Sequence, residues 1–175
     1  MALSSSALLI GCGSTEETSK AEVGPLRMSG GGIGQFREAG ADNSIEHYGR
    51  EASREEMKQA AKVVHGYLVA RAYSDWRAAC SFASEGLKER VRKILEFAKK
   101  ATNPDCPHAM AALARGEPPV ADTRYGSTVV DAGSLRVKGD YGFLFFNAGE
   151  DGRKLIMTRQ IGRWKVGGLL PTPLH

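Results

Sequence analysis

Cys80, Cys106, His108, Asp75, His65 and Arg159 are the side chains of this sequence whose types and neighbours suit chemistry. Cys80 and Cys106 fall on the second and fourth expected helices, and in an oxidising compartment a bridge between them would clip the third helix in place. Two buried free thiols are one alternative; a metal site recruiting His108 is another. Cys106 and His108 stand closer together than the usual ligand pair and no CxxC accompanies them, so no metal is expected. Asp75 precedes Trp76, and a carboxylate beside an indole is one way to build a desolvated proton-transfer base. The same Asp, following Ser74 where a helix restarts, also suits a helix cap. His65 is a lone imidazole with no carboxylate placed by sequence to orient it, which favours a structural role over catalysis. Arg159 shares the parity of Leu155 and Met157, so it points towards the apolar face of its strand and needs an anion there, from a side chain or a ligand. A stem on the core with the head in water is the commoner arrangement and needs no such anion. Ser29-Gly30-Gly31-Gly32-Ile33-Gly34 is glycine-rich like a phosphate loop, but no apolar strand leads in and no Lys-Ser/Thr follows. No catalytic residue and no cofactor is assigned on these patterns.

The third cysteine has a different setting. Ala7-Leu8-Leu9-Ile10-Gly11-Cys12-Gly13-Ser14 resembles a lipobox: a short apolar run, then Leu, one residue, a small residue and Cys. That resemblance implies cleavage before Cys12, lipid attachment to its thiol and a membrane anchor at the extracytoplasmic face. Residues 1–12 are then a signal peptide. Its apolar run is short and no Lys or Arg precedes it, so the true start is expected upstream of Met1. Residues 13–52, rich in Ser, Thr, Glu, Gly and Ala, read as a flexible linker, and 53–175 as one domain of ordinary size. The net charge of +4 is modest and arises from dispersed Lys and Arg. It suits an anionic lipid surface better than nucleic acid, which is not expected as a partner.

Elements that hold these residues are legible from periodicity. Ser53-Arg54-Glu55-Glu56 is a capping box, and Met57, Ala60, Ala61, Val64, Leu68 and Ala72 follow at helical spacing to about Tyr73. A second helix starts at Ser74 or Asp75 with Trp76, Ala79, Cys80 and Ala83 on one face. Ser84 caps a third, in which Leu87, Val91, Ile94, Leu95 and Ala98 are the expected buried stripe. Asp105 caps a fourth, from Cys106 to Arg115. Beyond it the period becomes two: Leu135 and Val137; Tyr141, Phe143 and Phe145; Leu155 and Met157; Trp164 and Val166. Turn signals at Gly139-Asp140, Gly149–Gly152 and Gly162 separate them, giving an antiparallel meander. Helices first and a curved antiparallel sheet second make an α+β fold with the helices packed on one sheet face.

The order of these pieces resembles the NTF2-like (cystatin-like, SnoaL-like) superfamily, and more narrowly a group of actinobacterial lipoproteins of unknown function. The resemblance is carried by Asp42-Asn43-Ser44-Ile45 with Tyr48-Gly49, Gly66-Tyr67-Leu68 with Ala70-Arg71-Ala72, and Asp75-Trp76-Arg77-Ala78-Ala79-Cys80. It continues through Cys106, Ala111-Ala112-Leu113, Gly133-Ser134-Leu135-Arg136-Val137, Gly162-Arg163-Trp164-Lys165-Val166 and Thr172-Pro173-Leu174. It implies an open-ended conical pocket between helices and sheet, and often a homodimer across the exposed sheet. Tyr67, Trp76, Arg159 and Trp164 are the candidate pocket residues. Two functions fit: a non-catalytic membrane-anchored lipoprotein binding a small apolar ligand or an envelope protein, or an exported isomerase-like enzyme with Asp75 or His65 as base. Fold alone does not choose between them.

Overall fold

The capping box expected at Ser53 is formed in the computed structural model, which describes residues 24–36, 44–98, 102–115, 130–149 and 151–174. Ser53 Oγ accepts from Glu56 N at 3.2 Å, and Glu56 Oε2 accepts from Ser53 N at 2.9 Å. Helix α1 then runs Arg54–Ala72. Asp75 is a helix cap: its Oδ1 accepts from Ala78 N at 2.9 Å and opens α2, Trp76–Phe82. Ser84 caps α3, Glu85–Phe97, and Asp105 caps α4, Cys106–Ala114, each accepting a backbone N–H three residues on. Each of these four helix starts thus falls at the side chain that satisfies its first free donors.

The sheet is curled into a half-barrel and, among the described residues, has seven strands: β1 Leu26–Arg27, β2 Arg50–Glu51, β3 Val130–Lys138, β4 Tyr141–Ala148, β5 Asp151–Gln160, β6 Arg163–Val166 and β7 Thr172–Pro173. β3, β4, β5 and β6 form the expected antiparallel meander. The whole sheet, however, is mixed, because β1 lies parallel to β3. β1 and β2 pair with opposite ends of β3, and β7 pairs with the first half of β5. A bulge at Gly133 bends β3; a Cβ there would lie 2.8 Å from the Phe36 ring, so glycine is what lets that ring settle on the sheet.

Two expectations change. Parts of the stretch read as a linker belong to the domain: β1 and β2 extend the sheet, and Phe36 is buried. Composition misled because so short a segment can be held by borrowed backbone pairing and one aromatic. The parity of β4 also differs. Leu144 and Phe146 face the helices with Leu135, Leu155 and Met157, whereas Phe143 and Phe145 lie outside that core. They meet the N-terminal segment instead, Phe145 against Phe36 (ring centroids 5.7 Å) and Phe143 edge-on against Tyr48 (5.0 Å). β4 is therefore covered on both faces, as its unbroken run Phe143-Leu144-Phe145-Phe146 requires.

Candidate functional site

Cys80 and Cys106 are joined by a disulfide, with Cα atoms 6.1 Å apart, linking α2 to α4 around the intervening α3. The thiols thus serve neither as a nucleophile nor as metal ligands, and among the described residues no group of three His, Cys, Asp or Glu is placed to hold a metal. Cys12 lies outside the described residues. Within them, no helix is long and apolar enough to cross a membrane.

The four candidate pocket residues assemble as two pairs. Tyr67 is fully buried on α1, its hydroxyl donating to Leu169 O at 2.8 Å. Trp76 is partly buried at the start of α2. Between them stands Arg71, 2% exposed, with its guanidinium carbon 5.7 Å from each ring centroid and Nη1 donating to Tyr67 Oη at 3.3 Å. Sequence reasoning missed this arginine as a core residue. It lies three and four residues beyond Leu68 and Tyr67, so the apolar stripe continues through Arg71, while Ala72 is only partly buried.

The second pair is Arg159 and Trp164. The Arg159 guanidinium carbon is 4.5 Å from the Trp164 ring centroid, and Nη2 donates to Glu56 Oε1 at 2.6 Å. The anion that Arg159 requires is therefore supplied by the capping box of α1. Glu56 also receives both terminal nitrogens of Arg50, at 2.8 and 2.9 Å. Its carboxyl is held well below the usual range, chiefly by Arg50 and then by the Ser53 N–H, with Arg159 adding to them and burial opposing. This is a structural clasp between α1, β2 and β5. His65 likewise has a structural partner, its Nε2 lying 3.0 Å from Gly24 O at the approach to β1.

Of the four candidate pocket residues, Trp164 borders open space. A groove of about 690 Å³ runs between α1, the end of α2 and the β5–β6 turn. Val63, Phe82 and Trp164 give it an apolar lining, and Lys62, Arg163 and Lys165 a cationic one. Gly66 shapes it, since a Cβ there would meet Phe82 Cζ at 2.6 Å; the missing side chain lets the ring lie on α1. Lys165 Nζ donates to Ser81 O at 2.6 Å, which fixes one cation at the rim. A second hollow of about 530 Å³ is bordered by the glycine-rich loop, Glu51 and Arg54. There Ser29 N donates to Asp131 Oδ1 at 2.7 Å, so this loop amide already holds a carboxylate of the chain itself. An apolar channel with cations of one sign can receive an amphiphile with an acidic head; the Glu-bordered glycine loop has no such polarity. No protein-family model, curated protein or solved structure matches this chain, so what the groove takes is argued from its own chemistry.

Proposed function

We propose that the protein is an extracytoplasmic lipoprotein tethered to the membrane through Cys12, whose NTF2-like domain is a non-catalytic binding module. Its ligand is a small apolar molecule with an acidic head, held in the groove between α1, α2 and the β5–β6 turn. The observation that carries this is the groove's pairing of Val63, Phe82 and Trp164 with Lys62, Arg163 and Lys165. The disulfide and the lipobox-like Leu9-Ile10-Gly11-Cys12 support the compartment. The enzyme reading is weaker because Asp75 caps α2 and His65 contacts a backbone carbonyl, leaving neither as a positioned base.

Two measurements test the two halves. Intact-mass analysis of the protein from native membranes is expected to show cleavage before Cys12, added acyl mass, and two thiols released only on reduction. An uncleaved chain with three free thiols would overturn the anchor. For the groove, tryptophan emission is titrated with decanoate. A saturable change is expected, weakened about fivefold by Lys62→Glu or Arg163→Glu, the effect of losing about 1 kcal/mol of partly exposed ion pairing. Absence of saturation, or indifference to both charge reversals, would refute the groove as an anion-headed ligand site.

A further inference from the structure

α3 displays apolar side chains that the core does not use. Leu87, Val91 and Leu95 are buried as expected, but Ile94 is 44% exposed and Phe97 is 92% exposed. Ala98, also expected inside, is exposed as well. Gly86, Glu89, Arg90, Lys93, Ile94 and Phe97 recur at three- and four-residue spacing, so they share the outer face, where they border a shallow hollow of about 460 Å³.

Several charges on this helix are paired. Glu85 pairs with Lys88 at 2.7 Å, and Glu89 pairs with Arg92 at 2.6 Å and with Lys93 at 3.3 Å. Arg90 has no ion pair among the described residues, and the sequence adds Lys99 and Lys100 immediately beyond the helix. A phenyl ring held in water gives the fold nothing, and beside it Arg90 and Lys93 outnumber Glu89, which matches a surface that is anionic outside and apolar beneath.

We infer that the outer face of α3 docks on an anionic lipid bilayer, with Phe97 and Ile94 entering the acyl boundary and Arg90 and Lys93 among the headgroup phosphates. A second copy of the chain fits less well, since a two-fold contact through this face would set like cations against each other. The inference rests for its setting on the Cys12 anchor proposed above. Gly24 follows Cys12 by twelve residues, a span of at most about 40 Å, so an anchored domain stays within reach of the bilayer.

The test uses the full chain carrying Cys12→Ser, oxidised, with vesicles of phosphatidylglycerol and phosphatidylcholine in equal parts. Co-sedimentation is expected with these vesicles and not with phosphatidylcholine alone, and high salt should reverse it. Phe97→Ser is expected to lower the partition at least tenfold, as loss of a buried ring would. Arg90→Glu with Lys93→Glu should do the same; Phe97→Ser should keep the parent's urea midpoint because its ring faces solvent, and the charge reversal, which also loses the exposed Lys93–Glu89 pair, should lower it only slightly. Equal binding to neutral vesicles, binding to neither, a partition indifferent to these changes, or self-association that depends on Phe97 would overturn the proposal. Because Cys12→Ser cannot be acylated, this result and the mass analysis of the anchor fail independently.

Discussion

Removing the Cys80–Cys106 bridge lowers the unfolding free energy by about 3.5 kcal/mol, the chain-entropy value for a loop of its length. The two cysteines are 26 residues apart, and the loop they close contains all of α3. α3 makes many of its close approaches to α4, which the bridge ties to α2, and α2 packs on α1. The unbridged chain must order α3 and α4 from a wider ensemble, with Leu87, Val91 and Leu95 as the apolar reward. Urea melts of the oxidised protein and of the Cys80→Ala, Cys106→Ala double variant should differ by roughly 2 M in midpoint. Adding reductant should move the parent by a similar amount and leave the variant unchanged. Coincident midpoints would mean that the sulfurs act only as apolar filling. The same loss should weaken vesicle docking, since the bridge holds the helix that presents Phe97 and Ile94.

How legible these features are follows from how local their causes are. Ser53, Asp75, Ser84 and Asp105 mark helix starts because each satisfies a donor three residues away, which sequence spacing alone displays. The meander β3 to β6 is legible for the same reason: Gly139, Gly149 and Gly162 adopt the positive φ their turns need. The covering of Phe143 and Phe145 by Tyr48 and Phe36 was not legible, because it joins residues about a hundred positions apart. Neither was the parallel pairing of β1, a two-residue strand with no period to read. At the candidate site, the placing of Arg159 on the inner parity was readable, but its partner Glu56 already had a local explanation as a cap. Arg71 was hidden by its charge; only its position on the Val64, Tyr67, Leu68 stripe marks it as buried. The groove could not be anticipated either, since it depends on Phe82 lying over the bare backbone of Gly66.

Glu56→Gln separates the two roles of that residue and should cost about 2 kcal/mol at neutral pH. Glutamine can still accept from Ser53 N, so the capping box survives, while the charge that Arg50 and Arg159 share is lost. The two arginines are not equal partners. Arg50 grips the carboxylate with two hydrogen bonds but its side chain is 57% exposed, so salt screens it. Arg159 makes one bond, at 2.6 Å, with its guanidinium stacked on Trp164, and it should account for most of the part that survives high salt. The pH dependence carries the sign. Glu56 titrates near 4.5 when unfolded and well below that in the folded protein, so its contribution is complete above about pH 4.5. It is lost progressively as the pH falls below that value, because the carboxylate must take up a proton that the clasp excludes. Urea midpoints of parent and variant should therefore be widely separated at pH 7 and closer at pH 3, because the unfolded chain has by then taken up the proton that the folded clasp still excludes. A gap of the same size at both pH values would show that the clasp stabilises by shape and hydrogen bonding rather than by charge, and would remove the electrostatic account of how α1 is fastened to the sheet.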